Sequence, residues 1–312
     1  MSSISYAQLP AALADAWAQA VYAGRVRLAL GNGAELAVVP SEADGEPAFA
    51  LRERGGGLRH LAVSTRGVGR FLVQVNEARA LRPPPARDRC GFACDDPRHP
   101  LSIVERRPRL TIDVLDLAFI PQGFPIDPRG HWLIVPSAAG RLPHRPQRLR
   151  ARDVAALVQL AAAAPAALLF YNSLDAGGGT VDHLHAQLLA EVPRLPTEAL
   201  AAASRGLAPL AGWPAPVLAG AVDAATLTDA VLRLQAAGVA FNLLLRGGVA
   251  WLAGRVRRQA PSVGLVVAAL EVGGLFVLSD PCRAAALDQR ALETALRETL
   301  LPLPALRAAI AG

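Results

Sequence analysis

With 312 residues, 52% of them hydrophobic, the chain has ample apolar material for one large domain or two ordinary ones, which excludes a disordered or fibrous protein. The net charge of +6 comes from 32 basic residues, all of them arginine; they are scattered and aromatic residues make up only 5%, so no stacking platform for nucleic acid is indicated, whereas a phosphorylated substrate suits the charge. The longest apolar run, 154–171, is broken by Gln159 and Pro165 and is read as buried rather than membrane-spanning, while an N-terminus that carries Asp15 and no basic region is not read as a secretory leader. The three cysteines, an odd number without a secretion cue, point to a reducing cytoplasm.

In chain order, Leu9 to Tyr22 has helical apolar spacing, and Gly24 supplies a stop. Short alternating segments follow at 26–30, 36–40, 48–52 and 61–64, separated by Gly31-Asn32-Gly33 and Gly55-Gly56-Gly57, as in an antiparallel meander. From Phe71 a strand begins, and by Asp96 it has dissolved into a proline-rich loop. Asn76 and Arg79 leave that strand together. An amide and a guanidinium there can satisfy a base edge and a phosphate, or simply form a turn with a solvated arginine. Cys90 and Cys94 have a spacing compatible with two zinc ligands, but a structural site needs four, and His99, His131 and His144 show no spacing that completes one. Two reduced cysteines are the reading adopted.

Leu110 to Phe119 alternates, and FPIDPRGHWLIVP, from Phe124 to Pro136, is a proline turn feeding a strand that begins near His131. Arg150 to Ala164 has helical period, and a strand follows at 167–171. The next stretch is YNSLDAGGGTVDHLHAQLLAE, Tyr171 to Glu191. Alternation places His183, His185 and Gln187 on one face of a strand, with Leu184, Ala186 and Leu188 on the other. Gly177, Gly178 and Gly179, followed by Thr180, are read as a loop whose backbone N–H groups approach an anion. A lone histidine in an apolar strand is usually a core group, and two at i and i+2 can be half of a metal site. The in-phase Gln187 and the glycine loop instead favour a nucleophile that attacks phosphorus.

Beyond Glu191, prolines and glycines break the chain over 193–214. A helix is expected at Leu227 to Ala237, capped by Asp223 or Thr226, then strands at 239–245, 250–252, 263–270 and 274–278, and a terminal helix from Asp288 to Leu300. This order parallels the first half without its histidines. Arg255, Arg257 and Arg258 could reach phosphate or form a solvated strand edge.

The Tyr171 to Glu191 stretch resembles the His-x-His-x-Gln signature of the transferase branch of the histidine triad superfamily. That branch includes galactose-1-phosphate uridylyltransferase, diadenosine tetraphosphate phosphorylase and the GDP-hexose phosphorylases. YNSL, a small-residue loop and DHLHAQ are most similar to the last group, with Asp182 standing where that group has asparagine. VQVNEARALRPP resembles its nucleotide-holding segment, FPIDPRGHWLIVP resembles the strand beside the catalytic one, and LEVGGLFVLSD is a fainter match in the second half. In FPIDPRGHWLIVP, His131 is expected to position or support rather than attack.

The resemblance implies an α+β fold of two tandem histidine-triad-like halves, with antiparallel or mixed sheets flanked by helices. Residues 1–195 would carry the His-x-His-x-Gln site and 196–312 would be a degenerate copy. It implies His185 as nucleophile, with His183 and Gln187 as catalytic partners, and Asn76, Arg79, Asn172, Gly177, Gly178, Gly179, Thr180 and Asp182 as substrate-binding residues. No cofactor is required; a structural zinc on Cys90, Cys94 and His183 is possible by analogy but not favoured. The implied reaction is phosphorolysis of a GDP- or ADP-hexose through a nucleotidyl-histidine. A dinucleoside polyphosphate phosphorylase and a non-catalytic nucleotide-binding protein are the alternatives. The expected partners are the nucleotide and inorganic phosphate, with no nucleic acid and no membrane, and the oligomeric state stays open.

Overall fold

The computed structural model describes residues 8–30, 33–81, 110–112, 117–122, 125–137, 142–201 and 206–312. Cys90, Cys94 and His99 lie outside the described residues. Helix α1 (Leu9–Tyr22) buries Leu9, Leu13, Trp17, Ala20 and Val21 and ends where Gly24 turns with φ 62°. Strands β1 (Arg27–Ala29), β2 (Glu35–Pro40), β3 (Pro47–Arg52) and β4 (Leu58–Leu61) form the expected antiparallel meander. The segment expected as one strand at 61–64 is instead a junction between two sheets. The ladder breaks at Ala62, whose N–H turns to Glu77 Oε2 at 3.2 Å, and β5 (Val63–Val68) then pairs with β6 (Phe71–Asn76). The 110–119 stretch likewise divides into β7 (Leu110–Ile112) and β8 (Leu117–Pro121), antiparallel neighbours with Leu110 opposite Phe119.

The chain continues through β9 (His131–Pro136), α2 (Ala151–Ala163), β10 (Leu168–Asn172), β11 (Ala186–Leu189) and α3 (Glu198–Ala201). The second half holds β12 (Ala208–Pro209), β13 (Leu218–Ala221), α4 (Ala224–Ala236), β14 (Ala240–Arg246) and β15 (Val249–Arg255). After these come α5 (Ala269–Val272), β16 (Leu275–Leu278), α6 (Pro281–Ala286), α7 (Gln289–Thr299) and α8 (Leu303–Ala311). Asp223 caps α4 by accepting from Thr226 N at 2.7 Å, and Asp288 caps α7 by accepting from Ala291 N at 2.7 Å, the usual way to satisfy first-turn donors.

A nine-stranded sheet in the order β12-β13-β15-β14-β10-β11-β9-β8-β7 organises the molecule. One topology occurs twice in it. β8, β9, α2, β10 and β11 lie in the order β10-β11-β9-β8, and β12, β13, α4, β14 and β15 lie in the order β14-β15-β13-β12. The two copies join where β10 pairs antiparallel with β14, Asn172 opposite Asn242. The 195/196 position falls between β11 and α3.

Cross-strand partners share a face, so the register sorts the side chains. One face carries Leu169, Tyr171, Leu188, Leu243 and Leu252, in a core shared with α1, α2 and α4. The opposite face carries His131, Phe170, Asn172, Gln187 and Trp251. Over its apolar part lie β6, β16 and α5 to α7 in a second core around Phe71, Phe276 and Leu292.

Two second-half expectations change. The 263–270 stretch is not a strand, because its backbone is bonded elsewhere: Val267 N donates to Arg258 O, Val267 O accepts from Arg255, and Ala269 N donates to Asn172 Oδ1. β16 does not join the second-half sheet but runs parallel to β6 of the first half.

Candidate active site

The histidine pair sits where a strand starts rather than within it. β11 begins at Ala186, so only Gln187 of the trio is in the ladder, while His183 and His185 precede it. Both are buried. His185 Nδ1 lies 2.9 Å from the carbonyl oxygen of His183. A carbonyl only accepts, so Nδ1 carries the proton and Nε2 the lone pair. Burial pushes His183 down to about 3, helped by the charges of His144, His185 and Arg145, so this ring stays neutral at ordinary pH. The His144 and His183 rings meet edge to face at 5.3 Å.

Gln187 is oriented from β9. Ile126 N–H donates to His131 Nδ1 at 2.9 Å, so His131 holds its proton on Nε2, and that N–H meets Gln187 Oε1 at 2.9 Å. With its oxygen held, Gln187 keeps its amide nitrogen as the donor end. Asn172 is arranged in the same sense: its Oδ1 accepts from Ala269 N at 2.9 Å and from Asn242 Nδ2 at 2.8 Å, leaving Nδ2 as donor. Asp182 accepts from Gln147 N at 2.8 Å and so fastens the turn before the histidines.

The glycines do not present the expected row of amides. Gly177 N donates to Leu174 O, Gly178 N to Asp175 O and Gly179 N to Ser173 O, so all three bonds close within the loop. Glycine is required here by packing. A Cβ on Gly177 would collide with Ser173 Oγ and meet Phe241 O at 2.9 Å, and one on Gly179 would meet Ser173 O at 2.7 Å and Asn172 O at 2.9 Å. Gly178, with φ 90°, lies against Ala268. Thr180 follows on the same loop, half-buried.

No family profile matches the sequence, and no curated protein matches it. Solved structures do. Yeast Ap4A phosphorylase Apa2 superposes with a TM-score of 0.58 at 16% identity, covering 78% of this chain and 90% of that one. The same enzyme in complex with AMP gives 0.55 at 18% identity, and in complex with Ap4A 0.56 at 18%, with the same coverage. The chain shares the fold of this phosphorylase.

Within this fold, several expected ligand contacts are used internally. Asn76 is fully buried, with Nδ2 donating to Ile126 O at 2.9 Å. It therefore braces the turn that feeds His131, at the cost of the open base contact expected of it. Arg79 lies on the single 3-10 turn after β6, half-buried. Arg255 points inward, donating to the carbonyls of Ala176, Arg257 and Val267, and burial lowers it to about 10; it ties the glycine loop to the second half instead of reaching a phosphate. Arg257 and Arg258 are exposed. Among the described residues no group of three His, Cys, Asp or Glu is placed to hold a metal. No helix among them is long and apolar enough to cross a membrane.

Sequence reasoning missed Asn242 and Gln147. Asn242 bonds both Asn172 and the Gly177 carbonyl, and its signal would have been the FN pair at 241–242, placed in the second half as the asparagine of YNSL is in the first. Gln147 sits in a polar, arginine-rich stretch that carries no periodic signal.

Proposed function

We propose that this protein is a nucleotidyltransferase that passes a nucleoside monophosphate to inorganic phosphate through a covalent nucleotidyl-histidine on His185. One observation carries the reading: the carbonyl of His183 holds the proton on Nδ1 of His185, which leaves the Nε2 lone pair as nucleophile. Nε2 attacks the α-phosphorus, the bond to the leaving phosphate oxygen breaks, and the leaving group departs with that electron pair. Phosphate then attacks the same phosphorus, the P–N bond breaks, and a nucleoside diphosphate is released. While the group is on the ring, Nδ1–H bears positive charge that the His183 carbonyl stabilises.

Gln187 and Asn172 offer amide N–H groups to nonbridging oxygens, and neither can supply a proton. That favours transfer to phosphate over rapid hydrolysis. The odd cysteine set supports a reducing, cytoplasmic setting.

For the substrate, the YNSL and DHLHAQ motifs support a GDP- or ADP-hexose. Burial of Trp132 on β9 and Trp251 on β15 agrees, since Trp132 packs edge-on against Trp17 at 5.4 Å and Trp251 is in the core, so neither forms an open platform for a second base. A second reading, a dinucleoside polyphosphate, is favoured by the fold's likeness to an Ap4A phosphorylase. Protein incubated with an α-phosphate-labelled nucleoside diphosphate hexose, GDP-glucose and ADP-glucose in parallel, or with diadenosine tetraphosphate, without phosphate, is expected to retain acid-labile label. His185→Ala should abolish it; label surviving in that variant removes His185 as nucleophile. No label in the wild type would leave a non-catalytic nucleotide-binding protein. Specificity constants for the two substrates at one phosphate concentration separate the two classes.

A further inference from the structure

Where β10 and β11 part, the ladder is continued by a side chain. Their register pairs Leu168 with Leu189, Leu169 with Leu188 and Phe170 with Gln187, and two residues further on it would set Asn172 opposite His185. There the carboxamide of Gln147 stands between them. His185 N–H donates to Gln147 Oε1 at 2.8 Å, and Gln147 Nε2 donates to Asn172 O at 2.9 Å and to His185 O at 3.0 Å. Backbone partners fix this orientation, since an N–H only donates and a carbonyl only accepts. The main chain of Gln147 is held as firmly. Its N–H donates to Asp182 Oδ1 at 2.8 Å, and its carbonyl accepts from the Tyr171 hydroxyl at 2.8 Å. Close by, Leu184 N, one residue before His185, donates to Arg145 O, two residues before Gln147, at 2.7 Å.

We propose that Gln147 is a positioning residue for the nucleophile: its carboxamide replaces a peptide unit in the splayed ladder and fixes the His183 to His185 backbone, including the carbonyl that sets the His185 tautomer. The assignment rests on the reading of His185 as nucleophile. A carboxamide suits the task because it offers one acceptor and two donors in the plane of a peptide group, and all three are used. A leucine would fill the space and supply none of them. A carboxylate would keep the acceptor and set its second oxygen against two carbonyls. Once protonated, it would regain one donor.

Two measurements test this. In ligand-free protein, nitrogen NMR of the His185 ring is expected to show a single Nδ1–H tautomer in the wild type and a mixture in Gln147→Leu. This readout does not depend on any substrate. The second is the rate of protein labelling by α-phosphate-labelled GDP-glucose, ADP-glucose and diadenosine tetraphosphate, expected to fall about 10²-fold in Gln147→Leu with KM little changed, as a misplaced reacting group does.

Gln147→Glu adds a signature that a purely structural role would not give. Its labelling rate, as a ratio to wild type at each pH, should rise as the new carboxyl takes up a proton. The groups around it are Asp182, Tyr171, His183 and His185, with Arg145 committed to Asp153 and Arg148 reaching Gln235 O. A single tautomer in Gln147→Leu, or a ratio for Gln147→Glu that is flat with pH, overturns the proposal. Should Gln147→Leu not fold, the ring spectrum and pH ratio of Gln147→Glu decide. Absence of label on the wild type sinks the catalytic reading, and the ring spectra then decide the positioning role alone.

Discussion

His131 and Gln187 form a short chain whose polarity is set at one end by a backbone group. Ile126 N–H can only donate, so His131 Nδ1 must accept, Nε2 must donate, and the Gln187 oxygen must be the end that is held. His131→Phe keeps the bulk of the ring and removes the donor, freeing the Gln187 amide to turn its oxygen toward phosphate. The expected outcome is a loss of kcat on the order of tenfold to a hundredfold, below or near the effect of losing an oxyanion donor outright, with KM little changed. Steady-state kinetics on the favoured substrate would show it; an unchanged kcat would mean that Gln187 is oriented without His131. At this scale the sequence was informative where roles follow local spacing. That the histidine pair, Gln187 and His131 lie in one neighbourhood was legible. Gln147 was not, because its partners lie up to 38 residues away and are backbone atoms that no residue type advertises. Asn76 misled because an asparagine leaving a strand serves a ligand and an internal turn equally well.

The glycine loop shows the same division among elements. That three glycines belong beside the histidines is written in the sequence, yet the cause is close approach of the loop to β10 and β14 rather than open amides. Gly179→Ala places a methyl group against the Asn172 and Ser173 carbonyls, backbone atoms that cannot yield without moving the end of β10. A cost of about 1 to 3 kcal/mol is expected, typical of overpacking, together with a fall in kcat. Gly55→Ala, on a turn where nothing lies within 4 Å, should be neutral within about 0.5 kcal/mol. Denaturant unfolding of the two variants makes the comparison, and equal stabilities would return the loop to the role of an anion-binding nest. Helices with local caps, such as those starting after Asp223 and Asp288, could be read directly. The division of 61–64 could not, since that strand break is decided by a distant partner, Glu77.

Taken as a whole, the molecule has the repeated topology of two halves but not the contacts of two independent bodies. β10 and β14 share a ladder of four residue pairs at the centre of the nine-stranded sheet, and β16 from near the C-terminus is seated on β6. Charged and polar ties follow the same route. Asn242 and Arg255, both from the second half, hold the loop that leads into the histidines. Both large cores draw residues from each half. Residues 1–195 alone would expose one edge of β10, leave β6 without its parallel neighbour and uncover Phe71 and Phe170, an arrangement that invites aggregation. The full chain is therefore expected to unfold in one cooperative calorimetric transition, with the calorimetric and van't Hoff enthalpies equal. A polypeptide ending at residue 195 is expected to show no cooperative transition and no nucleotide-dependent thermal shift. If that fragment melts cooperatively and takes label on His185, the first half is a self-sufficient enzyme and the second an accessory to it.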